Sequence, residues 1–166
     1  MCRVVAYLGR PIPLAHILYE TDSSLVTQTY RPQMLANLNL AGFGMAVWNA
    51  TSLRPDEPLV YRTTTLPAFD TNLRNLSSKV EGTCLLAHVR GVTLVRADDV
   101  SQQNVHPFVF PGFNVAVAHN GHLREFSKMR ALGLAFWKAS SWVWSSVTTL
   151  RVSVERFFSR SVCFRF

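Results

Sequence analysis

The 166-residue chain has few of the devices that staple small domains together or send them elsewhere. It holds three cysteines, Cys2, Cys84 and Cys163, far apart and with no CxxC pair. That pattern excludes a disulfide framework and points to a reducing compartment, the cytoplasm. Arg10 and Pro11 interrupt the apolar stretch that begins at Val4, so no secretory leader is expected. No phosphate-cradling loop is present either, because "GFGMA" lacks both the pattern and the lysine of a nucleotide site. Zinc needs three or four ligands at recognisable spacing. Of His88, His106, His119 and His122 only the last two are close in sequence, so neither a metal nor a cofactor is expected.

Acidic residues become scarce toward the C-terminus. Up to Phe126, ten Lys/Arg face nine Asp/Glu, whereas from Ser127 onward seven Lys/Arg face Glu155 alone. The formal net charge of +7 therefore resides almost wholly in the last forty residues. Residues 131–166 also lack proline, hold one glycine and three of the four tryptophans, and follow neither a 3.6 nor a 2.0 period. They read as an atypical basic, aromatic tail, distinct from a single domain over residues 2–130. Residues 131–150 are apolar, but Lys138 and many Ser/Thr interrupt them, and no membrane span is expected.

What is present is a mixture of strands and helices. Residues 3–8 read as a short buried strand, and "RPIPLAHILYE" as a helix with Pro13 in its first turn and Leu14, Ile17 and Leu18 on one face. "AGFGMAVWN" reads as a strand entered through a tight glycine turn, and "LVYR" as its partner beyond "RPDEP". Residues 68–80 place Phe69, Leu73, Leu76 and Val80 on one helical face. "GTCLLAHVRGVT" and "FNVAVAHNGHL" supply two further strands, each ending in polar or small residues. The expected class is α+β, in layers.

Three strand-end motifs carry chemistry beside the N-terminal cysteine: "AHVRGVT" with Arg90, "NVHPF" with His106, and "AHNGHL" with Asn120 and Gly121. Together with "MCRVVAYLG" and "AGFGMAVWN" they resemble, in order and spacing over about residues 2–130, the class II (N-terminal nucleophile) glutamine amidotransferases, in particular small stand-alone γ-glutamyl hydrolases. The resemblance implies a four-layer α/β/β/α N-terminal-nucleophile fold, incomplete at its C-terminal side.

The residues suit that chemistry. Once the initiator methionine is cut off, Cys2 carries both a thiol, with a reference pKa of ~8.5, and an α-amine, at ~7.7–8.0. The two are close enough in acidity to exchange a proton near neutral pH, so the chain terminus can serve as the base for its own nucleophile. Cys84 reads as a strand-core residue. The resemblance further implies that Asn120 (side-chain amide) and Gly121 (backbone N–H) form the oxyanion site. It also implies that Arg90 clamps the substrate α-carboxylate and that Thr93 lines the pocket. A planar fork of donors fits a carboxylate.

The expected activity is hydrolysis of a γ-glutamyl amide through a Cys2 thioester. The expected partners are a small γ-glutamyl substrate and a synthase or amidohydrolase, with no nucleic acid. Family members continue with an Asp-Ser-Glu-type motif that holds the substrate ammonium group, and none follows Phe126. Asp98 and Asp99 have no counterpart in that role. The tail therefore reads as the product of a frame change or truncation. The alternative function is a weakly active or inactive fragment serving as a binding or regulatory module. If Cys2 is the nucleophile, intact-mass analysis of active protein will show the chain starting at Cys2. Active protein that retains Met1 would rule out the α-amine as base.

Overall fold

The computed structural model describes residues 2–32, 39–91, 100–110 and 115–121, together with the backbone of the strand at 161–165. Strands β1 (Arg3–Pro13), β2 (Phe43–Trp48), β3 (Leu59–Thr63) and β4 (Glu81–Val89) form an antiparallel sheet in the order β1-β4-β2-β3. A second antiparallel sheet holds β5 (Phe108–Phe110), β6 (Val115–His119) and β7 (Ser161–Arg165), in that order. The helical pieces are short: a π-helical turn at His16–Glu20, α1 (Thr27–Tyr30), α2 (Thr71–Ser77) and a 3₁₀ turn at Gln102–Asn104.

Side chains alternate across a strand, so a strand with two buried faces feeds two cores. Phe43, Met45 and Val47 of β2, with Leu85, Ala87 and Val89 of β4, face the helical side and pack with Leu14, Leu18, Leu25, Val26 and Leu73. The intervening residues, Ala46 and Trp48 of β2 with Cys84 and Leu86 of β4, face the second sheet and meet Ala116 and Ala118 of β6. Alanines at this junction let the two sheets approach closely. The described residues thus build a helical layer and two stacked sheets.

Three sequence expectations change in detail. Pro13, expected in the first turn of a helix, instead ends β1, paired with Glu81, and the π-helical turn covers only His16–Glu20. Among the described residues β1 is an edge strand, paired only with β4, and it runs on past an irregularity between Leu8 and Ile12 to Pro13. With no described neighbour on its outer side it is half-buried rather than buried, and Leu8 is 59% exposed. The expected helix over 68–80 is shorter, because Asp70 caps it by accepting the Leu73 N–H at 3.0 Å. Phe69 precedes the cap, leaves the helical face and is 76% exposed, while Leu73 is fully buried. Strands β5 and β7 have no counterpart in the sequence reading.

Asp70 also accepts a hydrogen bond from the Tyr61 hydroxyl at 2.6 Å, tying α2 to β3. Replacing Asp70 with Ala removes the cap and a charge-assisted bond together. The expected cost is about 1–3 kcal/mol, to be read as a lowered denaturation midpoint without loss of the fold's circular dichroism.

Candidate active site

Strand register brings Cys2 and Arg90 to one end of the first sheet. Arg3 pairs with Val89 and Val89 with Phe43, so Cys2 lies just before β1, where β4 ends and runs into Arg90 and Gly91. Alternation puts Cys2 on the same side of β1 as Val4, which borders the inter-sheet core.

The Cys2 sulfur is held by backbone. The Gly91 N–H donates to Sγ at 3.4 Å, and the thiol can donate to the Gly91 carbonyl at 3.6 Å. Gly91 was not among the expected site residues. Its signal in the sequence was only its position after Arg90 in "AHVRGVT". From the second sheet, Asn120 directly follows β6 and its Nδ2 donates to the Cys2 carbonyl oxygen at 2.8 Å. Cys2, Gly91 and Asn120 therefore meet although they are 89 and 118 residues from Cys2 along the chain. Gly121 sits over the His119 ring, where a Cβ would lie 3.0 Å from Cε1. A side chain there would require the His119 ring to shift.

Arg90 continues the β ladder. Its N–H donates to the Gly42 carbonyl at 2.8 Å and its carbonyl accepts from Ala41 at 3.0 Å. Its guanidinium Nη1 donates to the Asn104 carbonyl. Gly42 has φ +122°, a conformation that L side chains rarely adopt, and a Cβ there would lie 2.7 Å from the Thr63 carbonyl oxygen. The glycine turn is thus what brings β2 in beside Arg90. Thr93 lies outside the described residues, as do His122, Asp98 and Asp99.

The other candidate groups separate clearly. Cys84 is buried, and burial pushes its thiol up to about 12, so it is a poor nucleophile. Only the backbone of Cys163 is described, on β7. His88 is fully buried, and its Nε2 lies 3.4 Å from His106 Nδ1. Among the described residues no cluster of three or more His, Cys, Asp or Glu could hold a metal ion, and no helix is long and apolar enough to cross a membrane. A groove of about 750 Å³ lined by Pro13, Asn49, Arg54, Lys79 and Glu81 lies at the opposite end of the first sheet, away from these residues.

No family model and no curated protein matches the chain. Among solved structures it is similar to a glutamine aminotransferase class-II domain protein from Silicibacter pomeroyi, at 21% identity and a TM-score of 0.53. The two share a fold. The match covers 90% of this chain and 50% of the other, so this chain spans about half the length of the protein it resembles.

The histidine pair gives the site an acid limit. Burial, then electrostatic interaction with His106, Arg90 and His119, pushes His88 down to about 3 from an ordinary 6.5. Burial, then Arg90 and His119, pushes His106 down to about 4. Both rings are neutral at pH 7. Unfolded, they take up protons near pH 6.5, which the folded chain resists. Their contribution to stability is complete above about pH 6.5 and is lost as pH falls through 6.5 toward 3. Urea midpoints measured from pH 7 to pH 4 are expected to fall, and to fall less steeply in His88→Gln.

Proposed function

We propose that the chain is a cysteine amidohydrolase that cleaves a γ-glutamyl amide through a Cys2 thioester. The observation that carries this reading is the meeting of Cys2, Gly91 and Asn120, with the sulfur on the Gly91 N–H and the Asn120 amide on the Cys2 carbonyl. The shared fold with a glutamine aminotransferase class-II domain protein supports it.

In this reading the α-amine exposed by loss of Met1 accepts the thiol proton, and Sγ attacks the γ-amide carbon. The new C–S bond pushes the carbonyl electrons onto oxygen. Collapse of that intermediate expels the amine, which takes the proton from the α-ammonium group and leaves a thioester. Water then attacks with the α-amine as base, releasing the γ-carboxylate and restoring the thiol. A side-chain amide has two N–H donors, so Asn120 can hold Cys2 with one and meet the oxyanion with the other. The Gly121 N–H supplies a second oxyanion donor. Arg90 recognises the substrate α-carboxylate, and the family resemblance assigns Thr93 a substrate-binding role as well.

A second reading, a non-catalytic module that binds an anionic partner, draws on the basic stretch from Ser127 onward. Release of glutamate from glutamine, glutathione and other γ-glutamyl amides separates the two. Cys2→Ala is expected to abolish it, while Cys84→Ala affects stability alone. Asn120→Ala should lower kcat by about 10²–10³-fold, the usual loss for one oxyanion donor. Arg90→Lys should mainly raise KM, since it breaks a charge-assisted contact of ~1.5–3 kcal/mol with the ground state. No turnover with any γ-glutamyl amide, from protein shown to begin at Cys2, would sink the catalytic reading.

A further inference from the structure

Between β4 and β5 the chain lays a strap, residues 101–107, across the inter-sheet face of β2. Gly44 makes room for it. A Cβ at that position would collide with the His106 carbonyl oxygen and lie 3.0 Å from Val105 Cγ1. Val105 is fully buried there. The strap is tied to β3 by Gln102, whose Nε2 donates to the Arg62 carbonyl at 2.7 Å. At its other end the His106 ring is wedged between two rings, His88 and Phe108. Each lies 4.6 Å away between centroids and is nearly perpendicular to it. Two residues before His106, the Asn104 carbonyl receives the Arg90 guanidinium.

Arginine is long and rotamer-rich, so its usefulness as a carboxylate clamp depends on being held in place before the substrate arrives. The hold here is a backbone carbonyl on the strap, and the strap is seated by the buried Val105 and by the half-buried His106 ring packed on His88 and Phe108. We propose that His106 is a positioning residue for Arg90: wedged between His88 and Phe108, it holds the Asn104 carbonyl where it aims the guanidinium, and so sets substrate affinity without touching the substrate. This rests on the γ-glutamyl reading for what Arg90 binds, but its geometric half does not.

The test compares wild type, His106→Ala, His106→Phe, Arg90→Lys and the double variant His106→Ala/Arg90→Lys, with glutamine as substrate. His106→Ala should raise KM about tenfold while kcat stays within about twofold. His106→Phe, which keeps the wedge, should stay within about threefold of wild type in KM. In the double variant the alanine should add little to Arg90→Lys, because both act through one group. The Arg90 Nε–H resonance, identified by its loss in Arg90→Lys, should move in His106→Ala and return in His106→Phe. That readout needs no turnover, so an inactive wild type overturns the functional reading while the positioning role is still judged. A kcat loss with KM unmoved, multiplying effects in the double variant, or an Arg90 resonance unchanged in folded His106→Ala overturns the proposal. If His106→Ala does not fold, His106→Leu is judged by the same criteria.

Discussion

Strand β4 is buried on both faces from Cys84 to Val89, and each face belongs to a different core. Leu85, Ala87 and Val89 hold the helices, and Cys84 and Leu86 hold the second sheet. A slip of one residue in its pairing would exchange the two sets, so burial on both sides fixes the register strongly. That register in turn fixes the site. It decides that β1 begins, and Cys2 sits, where Arg90 and Gly91 emerge from the strand.

Glycine at two places in β2 and its approach turn lets other segments reach that end of the sheet. Gly42 adopts a backbone conformation closed to most residues, and Gly44 leaves the space that the strap fills. A side chain at either position would meet backbone, which cannot swing away as a flexible side chain can. The same absence of bulk recurs between the sheets, where Ala46, Ala116 and Ala118 meet. Close packing at the junction is what brings Asn120, at the end of β6, within 2.8 Å of the Cys2 carbonyl.

The electrostatics of the site follow from this burial. Arg90 lies beside two histidines whose rings are kept neutral by desolvation and by its own charge. Neutral rings are tolerable neighbours for a guanidinium, whereas protonated ones would repel it and lose solvation as well. The Cys84 thiol, sealed in the inter-sheet core, is pushed up by burial.

Much of the fold was legible in the sequence because local pattern and tertiary role agree there. The apolar run of β4, the glycine-led entry to β2 and the alternation of β6 each matched the burial they have in the structure. Cys2, Arg90, Asn120 and Gly121 could be singled out because their motifs stand at strand ends in a recognisable order. Exposure could not be read in this way. Leu8 and Phe69 are apolar yet exposed, since nothing local reveals that β1 lies at a sheet edge or that the Asp70 cap leaves Phe69 outside its helix. Nor could the sequence reveal Gly91 as the donor to Cys2, the pairing of His88 with His106, or the Asn104 carbonyl under Arg90. Each of these contacts joins residues well separated along the chain, and two of them involve backbone atoms that every residue type shares. Residue identity therefore marked out the side chains on which the proposed chemistry rests. Which of them meet was decided only by sheet register and inter-sheet packing, because those set distances that no local pattern records.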